Sequence, residues 1–321
     1  MSTKKKSRIH IDGDKLVLIA AIIVVFALFT CLNKNFLSVT NMINILIAAS
    51  LVGMVAVGHT YLIIAGQNDL SPGSLAAFSG VVAALLVSKG MPFAAAVIVT
   101  IVCGAAVGFF NAFMVNKIHL EAFIATLVTQ SIIRGFAYII CGGKPVSISN
   151  KTFLLLGKAR ILNIPVSVWI MIICIVVFGI ILAKTKFGRS VYAIGGSMDA
   201  ARLAGLNPKK IITTCYVMMG ILCSIGGICY CLNTMSGNVQ QALGLEMDAI
   251  ASSVIGGTLL TGGVGNVIGS FFGVLINGTN STLVKTNGKL LSSWSNIAVA
   301  ALLCFFIVLQ SIFAKIKEKS K

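Results

Sequence analysis

The residues best placed to do chemistry in this sequence are polar or charged groups that interrupt long apolar runs. They are His59, Gln67, Asn68, Asp69, Ser71, Arg134, Glu246 and Asp248. An ionisable group inside a lipid bilayer is costly and is kept for contact with a solute, a proton or a neighbouring helix. All eight are therefore candidates for lining or gating a path through a membrane.

The acidic candidates stand where helices are predicted to begin. Asp69 lies in GQNDLSPGS, and Glu246 and Asp248 lie in GLEMDAIASS. Capping explains such positions, because the helix dipole favours acidic groups at a helix start. A second interpretation stays open, since interrupted, glycine-flanked helices approach the translocation path of transporters.

Arg134 and His59 lie inside predicted membrane spans. Arg134, in TQSIIRGFAYII, is the strongly charged residue well inside a span, and we expect it to reach a backbone carbonyl or an acid of another helix. A structural role and contact with a substrate both stay open for it. His59, in AVGHTYLII, is better explained by a polar contact between helices than by metal binding.

The sequence predicts no catalytic residue and no cofactor or metal site. It lacks the G-x-x-x-x-G-K-[ST] phosphate loop, a serine nucleophile elbow and paired carboxylates within one span. The three histidines are scattered, and the nine cysteines lie almost entirely in apolar runs without zinc spacing. ATP hydrolysis would need a separate chain.

The composition is that of a membrane protein. Hydrophobic residues make up 57% of the chain and charged residues 10%, and the mean hydropathy is +1.00. A soluble chain of 321 residues needs a more polar surface. The net charge of +17 comes largely from the two tails and the central polar segment, as membrane orientation requires, so nucleic acid is not a predicted partner.

Ten apolar stretches are long enough to cross a bilayer, which predicts an all-α, polytopic membrane protein. They are approximately 16–33, 43–65, 70–88, 91–115, 122–141, 164–183, 211–232, 247–261, 264–285 and 295–314. The third and eighth stretches begin with acidic residues and are rich in Gly and Ser. We expect these two to be partly unwound or re-entrant.

Charge sets the predicted orientation. Basic residues precede the first span, so an even number of spans leaves both termini in the cytoplasm: a tail at 1–15, a transmembrane domain at 16–314 and a tail at 315–321. The central segment 184–210 is then cytoplasmic. The segment 142–163 is external although it carries four cations, and the agreement of both tails and the central segment outweighs that conflict.

An internal repeat is predicted at an offset of 161 residues. Gly104, Gly108, Phe110 and Asn116 are matched by Gly265, Gly269, Phe271 and Asn277. The two stretches are the fourth and ninth spans, which run in opposite directions, so the repeat is inverted. Chance similarity between glycine-rich helices is the alternative, and the glycines are packing residues in either case.

The central segment suggests a source of energy. The spans hold few ionisable groups, whereas ion-coupled carriers place several deep in the bilayer. A short helix at 197–205, followed by Asn207 and Pro208, is suited to docking a soluble partner. A plain solvated basic loop is the alternative interpretation.

Several motifs together resemble the permease subunits of bacterial ATP-binding-cassette sugar importers of the ribose, xylose and galactose group. They are AVGHT at 56–60, DLSPGS at 69–74, AFIATL at 122–127 with Arg134-Gly135, GR at 188–189, YAIGG at 192–196, AARLAG at 200–205, DAIA at 248–251, VIGGT at 254–258 and GGVG at 262–265. The similarity runs from about Asn35 to Gln310. Galactofuranose permeases are the most similar subgroup, through the residues around Glu246 and Leu291–Trp294.

The resemblance implies an importer in the bacterial inner membrane. It would contain two permease chains, identical or related, two ATPase chains and an external sugar-binding protein. The ATPase would dock on a coupling segment made of Asp199, Ala200, Ala201, Arg202, Leu203, Ala204 and Gly205. Gln67 and Asn68 stand where the family has Gly and Ile, and Pro72 and Ser197 also depart from its pattern. Gln67 and Asn68 add hydrogen-bonding groups next to a helix start, so we expect the polarity of the path to differ from that of the relatives.

The predicted function is therefore passage of a neutral monosaccharide, galactose-like, galactofuranose or ribose-like. An uncharged polyhydroxy solute suits a path that is poor in charge. The alternative is a cation-coupled secondary carrier of a small neutral solute, and a third reading is a membrane scaffold without transport.

Overall fold

The computed structural model describes residues 37–286 and 297–301, with residues 303, 304, 306 and 308. Its helices are α1 Val39–Ile64, α2 Pro72–Ser88, α3 Phe93–Asn116, α4 Ala122–Cys141, α5 Lys151–Lys158, α6 Val166–Lys184, α7 Lys186–Gly196, α8 Met198–Leu203, α9 Pro208–Thr234, α10 Leu245–Ile255 and α11 Val267–Thr286. The predicted first span, the predicted tails at 1–15 and 315–321, and the Leu291–Trp294 motif lie outside the described residues.

Two short antiparallel pairs join loops. Strands β1 Val146–Ser147 and β4 Ser236–Gly237 pair with each other, and β2 Arg160–Ile161 pairs with β3 Ile164–Pro165. All four strands have two residues, so the described part is a helical protein with two small clasps.

Five described helices are long and apolar enough to cross a membrane: α1, α3, α4, α6 and α9, with 26, 24, 20, 19 and 27 residues. They coincide with the second, fourth, fifth, sixth and seventh predicted spans. The shorter apolar helices are α2 and the first part of α11. A polytopic, all-helical membrane protein is confirmed at this level.

The prediction of an eighth span at 247–261 is wrong in extent. The helix α10 has 11 residues and ends at Ile255, so at about 1.5 Å per residue it covers only about half of a bilayer core. Gly257 has a φ of +92°, a conformation that glycine adopts without strain, and the chain turns there. The expected interruption of this segment is confirmed.

The third predicted span, 70–88, coincides with α2 apart from its first two residues, so the expected interruption within this span is not seen. Residues 66–71 are not helical, and α2 begins at Pro72, where the ring suits the first turn and has no N–H to leave unbonded. The helix α10 is therefore a half-helix, whereas α2, with 17 residues, spans about 26 Å at about 1.5 Å per residue.

The core forms around α1 and α9. The helix α9 packs against α1, α2 and α3, while α1 also packs against α6, α10 and α11. Glycines allow the closest of these approaches, because a Cβ atom on Gly108 would overlap the carbonyl oxygen of Tyr216, and one on Gly104 would lie 2.6 Å from that of Gly220. The predicted packing role of these glycines is confirmed.

The register of the predicted repeat agrees only partly with the helices. Subtracting the offset of 161 from Val267, where α11 begins, gives Ala106 in the middle of α3. Gly104 is thus helical, whereas its predicted counterpart Gly265 lies before α11. The matched glycines Gly108 and Gly269 do share a function, since each faces the backbone of a neighbouring helix.

The loops gather at two ends of the bundle. The β1–β4 pair, with Val146 opposite Gly237, joins the loop after α4 to the loop after α9. At the opposite end, Gly263 donates its N–H to the Ile64 carbonyl oxygen at 2.8 Å, and Asn116 donates to the Lys209 carbonyl oxygen at 3.1 Å. We call these the β1–β4 end and the α7–α8 end.

Candidate functional site

Asp69 organises the break between α1 and α2. Its Oδ1 accepts hydrogen bonds from the backbone N–H and the hydroxyl of Ser71, at 2.8 and 2.7 Å. Asn111 on α3 donates to the Ser71 hydroxyl at 2.9 Å, and both Asp69 and Ser71 are buried. The carboxyl group therefore fixes the turn before α2, while Ser71 occupies the N-cap position itself.

The flanks of this break are also held by neighbouring helices. The N–H of Leu70 donates to the Thr126 hydroxyl on α4 at 3.0 Å, and Tyr216 on α9 donates its hydroxyl to the Asn68 carbonyl oxygen at 3.1 Å. Gln67 contributes a buried Oε1 that accepts no hydrogen bond from the described residues. The break thus presents polar groups inside the bundle.

Three side chains on α4 form what we call the polar ladder: Gln130, Arg134 and Tyr138. Their spacing of four residues places them on one face of the helix. Arg134 Nη1 donates to the Val239 carbonyl oxygen at 2.7 Å, and Gln240 Nε2 donates to the Tyr138 hydroxyl at 2.6 Å.

The remaining residue of the polar ladder, Gln130, contacts the start of α10. Its Nε2 donates to Glu246 Oε1 at 3.1 Å. The three residues of the polar ladder are therefore hydrogen-bonded to Val239, Gln240 and Glu246. Arg134 Nε also donates to the Ser74 hydroxyl at 3.0 Å, in the first turn of α2. The expectation that Arg134 reaches a backbone carbonyl is confirmed.

The first turns of α2 and α10 lie next to each other and both contact the polar ladder. The Glu246 carboxyl lies so close to Gly73 that a Cβ atom there would overlap Oε2. Glu246 Oε2 and Arg134 Nη2 are both buried, and neither has a hydrogen-bond partner among the described residues. An unpaired donor and an unpaired acceptor in one region can bond a polar solute or water.

Asp248 lies two residues after Glu246, in the first turn of α10, and is half-buried. Its backbone carbonyl oxygen accepts from the Ser252 hydroxyl at 2.6 Å and from Asn277 Nδ2 on α11 at 3.2 Å. The residue therefore lies where α10 is bonded to α11.

A hydroxyl cluster joins α1 to α10 and α11. The Thr60 hydroxyl lies 2.7 Å from that of Ser270 and 3.5 Å from that of Ser253. His59, next to Thr60, is fully buried, and neither ring nitrogen has a hydrogen-bond partner among the described residues. The described part therefore shows no polar contact between helices for His59.

The predicted coupling segment forms an exposed knob at the α7–α8 end. The helix α8 is capped by Ser197, whose hydroxyl accepts from the Ala200 N–H at 3.3 Å. Leu203 is 90% exposed, and Arg202 lies 3.4 Å from Asp199 across the helix surface. Gly205 ends the turn with a φ of +83° and open space around it.

The helix α7 connects this knob to the core. Tyr192 donates its hydroxyl to the Gly265 carbonyl oxygen at 2.7 Å, just before α11 begins. Burial raises the pKa of the Tyr192 phenol, so it keeps the proton that it donates. Gly195 packs against the Ile64 carbonyl oxygen at the end of α1. The helix α7 therefore contacts α8, the end of α1 and the segment before α11.

A family model described as branched-chain amino acid transport system / permease component matches residues 41–309. The matched range contains the break at Asp69, the polar ladder, the coupling segment and the start of α10.

Individual proteins are similar over most of their length. The chain is 36% identical over 291 residues to the inner membrane ABC transporter permease protein YjfF of Escherichia coli (strain K12), covering 87% of each chain. It is 37% identical over 262 residues to the ribose import permease protein RbsC of Haemophilus influenzae, covering 80% of this chain and 81% of that one. It is 34% identical over 314 residues to the L-arabinose transport system permease protein AraH of Escherichia coli (strain K12), covering 98% and 93%.

Proposed function

Because the chain belongs to the family described as branched-chain amino acid transport system / permease component, we propose that it is the membrane-spanning permease of an ATP-binding-cassette importer for a neutral monosaccharide. The resemblance to sugar permeases of the ribose group is confirmed by the relatives. The chain is a transport subunit of the inner membrane and not an enzyme.

One observation carries this proposal. The relatives whose names include ribose import and L-arabinose transport align with 80% and 98% of this chain, at 37% and 34% identity. The similarity is therefore a property of the whole permease and not of one motif. The exposed knob at α8 and its connection to the core through Tyr192 supply a physical route for energy from an ATPase.

We propose ten membrane spans with both termini in the cytoplasm, the tails at 1–15 and 315–321, and an inverted repeat. The meeting of the loops after α4 and α9 at one end supports this arrangement, because ten spans place both loops outside. The approach of Gly263 to Ile64 at the opposite end supports it as well. The α7–α8 end is then cytoplasmic, with segment 184–210 facing the ATPase.

The proposed partners are a cassette ATPase, a second permease chain, identical or related, and an external sugar-binding protein. The ATPase would contact the exposed surface of the coupling segment 199–205. Leu203 offers an apolar side chain there, and Arg202 and Asp199 offer charges at the rim.

We propose that the sugar passes beside the polar ladder and the starts of α2 and α10. The unpaired Arg134 Nη2 and Glu246 Oε2 suit hydroxyl groups, which both donate and accept hydrogen bonds. The start of α2 would be positioned by Gln67, Asn68, Asp69 and Ser71, and α10 would be positioned by Asp248. His59 would adjust α1 during gating. We propose further that the transported sugar has a ribose-like or galactofuranose-like ring.

A cation-coupled carrier is the second candidate. The observation in its favour is that Asp69 and Glu246 are buried acids without an ion pair in the described residues. Both acids, however, accept hydrogen bonds from Ser71 and Gln130 that hold helix starts in place. The cassette importer therefore explains the same residues together with the exposed knob.

The decisive experiment uses proteoliposomes that contain the permease, its cognate ATPase and the external binding protein. Radiolabelled D-ribose, L-arabinose and D-galactose are supplied with ATP inside, or with a proton or sodium gradient and no nucleotide. We expect accumulation of at least one sugar only with ATP and the full complex. Accumulation by the permease alone under an ion gradient would establish the secondary carrier instead.

A further inference from the structure

The hairpin between α5 and α6 ends in an unusual tip. Strands β2 and β3 are joined by Leu162 and Asn163, and both residues have positive φ, 53° and 65°. A leucine in this conformation is strained, because its Cβ crowds the backbone. Leu162 is nevertheless 81% exposed, and Ile161 beside it is 53% exposed. The tip thus presents apolar side chains away from the protein.

The hairpin stands on the outward face of α6. Trp169, in the first turn of α6, donates its indole N–H to the Ile161 carbonyl oxygen at 3.2 Å. Below it along the helix, Ile173, Val176 and Ile180 are 59%, 52% and 52% exposed. Membrane helices contact each other mainly through small residues, so this branched aliphatic stripe is suited to lipid. Tryptophan is typical of the boundary between lipid and water.

The position of the hairpin is fixed from below. Phe153 on α5 is fully buried and packs edge-on against Phe93, with ring centroids 5.6 Å apart. Gly157 packs against the Leu232 carbonyl oxygen near the end of α9. The helix that leads into the hairpin is therefore packed against α3 and α9.

The charge of the surrounding segment is one-sided. Residues 142–163 contain Lys144, Lys151, Lys158 and Arg160 and no acidic residue. Lys158 and Arg160 flank the start of the hairpin, beside the exposed Ile161. Cations next to apolar side chains at a membrane boundary match anionic lipid, with the apolar groups among acyl chains and the cations at the headgroups.

We propose that the hairpin 160–165 anchors the β1–β4 end to the outer surface of the bilayer. Ile161 and Leu162 enter the boundary between headgroups and acyl chains, and Lys158 and Arg160 bind anionic lipid headgroups. The anchor explains why Lys158 and Arg160 lie in an external segment, against the usual bias of charge toward the cytoplasm. It depends on the membrane orientation but not on the transported sugar.

A fluorescent probe at the tip tests the apolar part. Leu162→Cys is labelled with an environment-sensitive dye in nanodiscs that contain phosphatidylglycerol, with the labelled wild type as the background for native cysteines. Leu203→Cys is the matched control, because Leu203 is an equally exposed leucine at the opposite end. We expect lipids brominated near the headgroup to quench the dye at 162 and not at 203.

The same samples separate lipid from protein as the occupant. Quenching at 162 should be present before the external binding protein is added and unchanged after it. A dye at 162 that is unquenched in the bilayer overturns the proposal, and a response that appears only with the binding protein assigns the hairpin to protein docking.

A charge series tests the headgroup part. The double variant Lys158→Gln with Arg160→Gln is compared with Lys89→Gln, an exposed cation in the turn after α2. About 1 kcal/mol per cation corresponds to about fivefold per cation, so we expect retention of phosphatidylglycerol by the double variant to fall about 25-fold in mass spectrometry. Equal retention by the double variant and Lys89→Gln would overturn this part.

Discussion

The charged groups inside the bundle bind the backbone and polar side chains more than they bind each other. Arg134 donates to the Val239 carbonyl oxygen and to the Ser74 hydroxyl, whereas Glu246 accepts from Gln130. A planar guanidinium has several fixed donors and can therefore hold two segments at once. At the scale of single residues, Arg134 connects the start of α2 to the segment before α10.

We expect Arg134→Gln to impair both stability and transport. The glutamine is too short to reach both partners and leaves the Val239 carbonyl oxygen without its charged donor. Loss of hydrogen bonds to a charged group costs about 1.5 to 3 kcal/mol, which denaturant unfolding in detergent measures. Sugar uptake should fall at least tenfold. Lys144→Gln, an exposed cation change in the loop after α4, is the control, and an Arg134→Gln variant as stable and active as this control would contradict the assignment.

Tyr192→Phe should weaken coupling without removing the permease from the membrane. The change deletes one hydrogen bond to the Gly265 carbonyl oxygen, worth about 0.5 to 1.5 kcal/mol. We expect fewer sugar molecules to be transported per ATP hydrolysed, by about threefold to tenfold. Tyr230→Phe on α9 is the matched control, because that half-buried phenol takes no part in the contact of α7. An unchanged ratio for Tyr192→Phe would remove α7 from the coupling route.

At the scale of elements, the sequence predicts the length of an uninterrupted apolar helix well. It predicts the point at which an apolar run stops being helical only in part. The run 122–141 predicts α4 residue for residue, because nothing within it breaks a helix. The end of α10 at Ile255 was not predicted, since Gly256 and Gly257 lie in a run that is still apolar. The chain turns at Gly257, which has a φ of +92°, and Gly256 lets α11 approach so closely that a side chain there would overlap Gly269.

The polar ladder shows the same limit. Gln130, Arg134 and Tyr138 recur at every fourth residue, a signal that the sequence contains and that single-residue reasoning on Arg134 missed. Their partners Val239, Gln240 and Glu246 are more than one hundred residues away. Such pairings depend on where the chain between α9 and α10 lies against α4, which local patterns do not specify. Asn111 and Thr126 were missed for the same reason.

A pair of glycine substitutions tests the packing of α3 against α9. Gly108→Ala should destabilise the protein by about 1 to 3 kcal/mol, because the added methyl group would overlap the Tyr216 carbonyl oxygen. Gly135→Ala on α4 meets nothing within 4 Å and should be neutral or stabilising by up to about 1 kcal/mol. Thermal unfolding in detergent compares the two, and equal stability would contradict the close crossing of these helices.

At the scale of the whole molecule, a continuous series of packing contacts joins the exposed knob to the buried helix α10. The helix α8 contacts α7, and α7 contacts the end of α1 and the turn before α11. The helices α1 and α11 in turn pack against α10, which begins at Glu246. In the proposed importer, an ATPase docked on α8 would act on α10 through α7, α1 and α11 without touching the path itself.

Substitutions on the knob should separate ATP hydrolysis from transport. Leu203→Asp and Arg202→Glu change the exposed surface of α8, where no packing inside the chain is lost. We expect uptake to fall at least tenfold at normal membrane levels, with ATP hydrolysis no longer stimulated by the binding protein. Lys89→Ala, a change of an exposed cation in the turn after α2, is the control. Normal uptake by both α8 variants would reject α8 as the docking element.

The placement of α9 has a consequence for biosynthesis. The helix fills the space between α1, α2 and α3, yet it begins only at Pro208. A ribosome makes the chain from its first residue, so α1 to α4 enter the lipid while the helix that Gly104 and Gly108 fit does not yet exist. Maturation is therefore a late event, in which the inserted first half waits for residues 208–237 to emerge and only then closes around them.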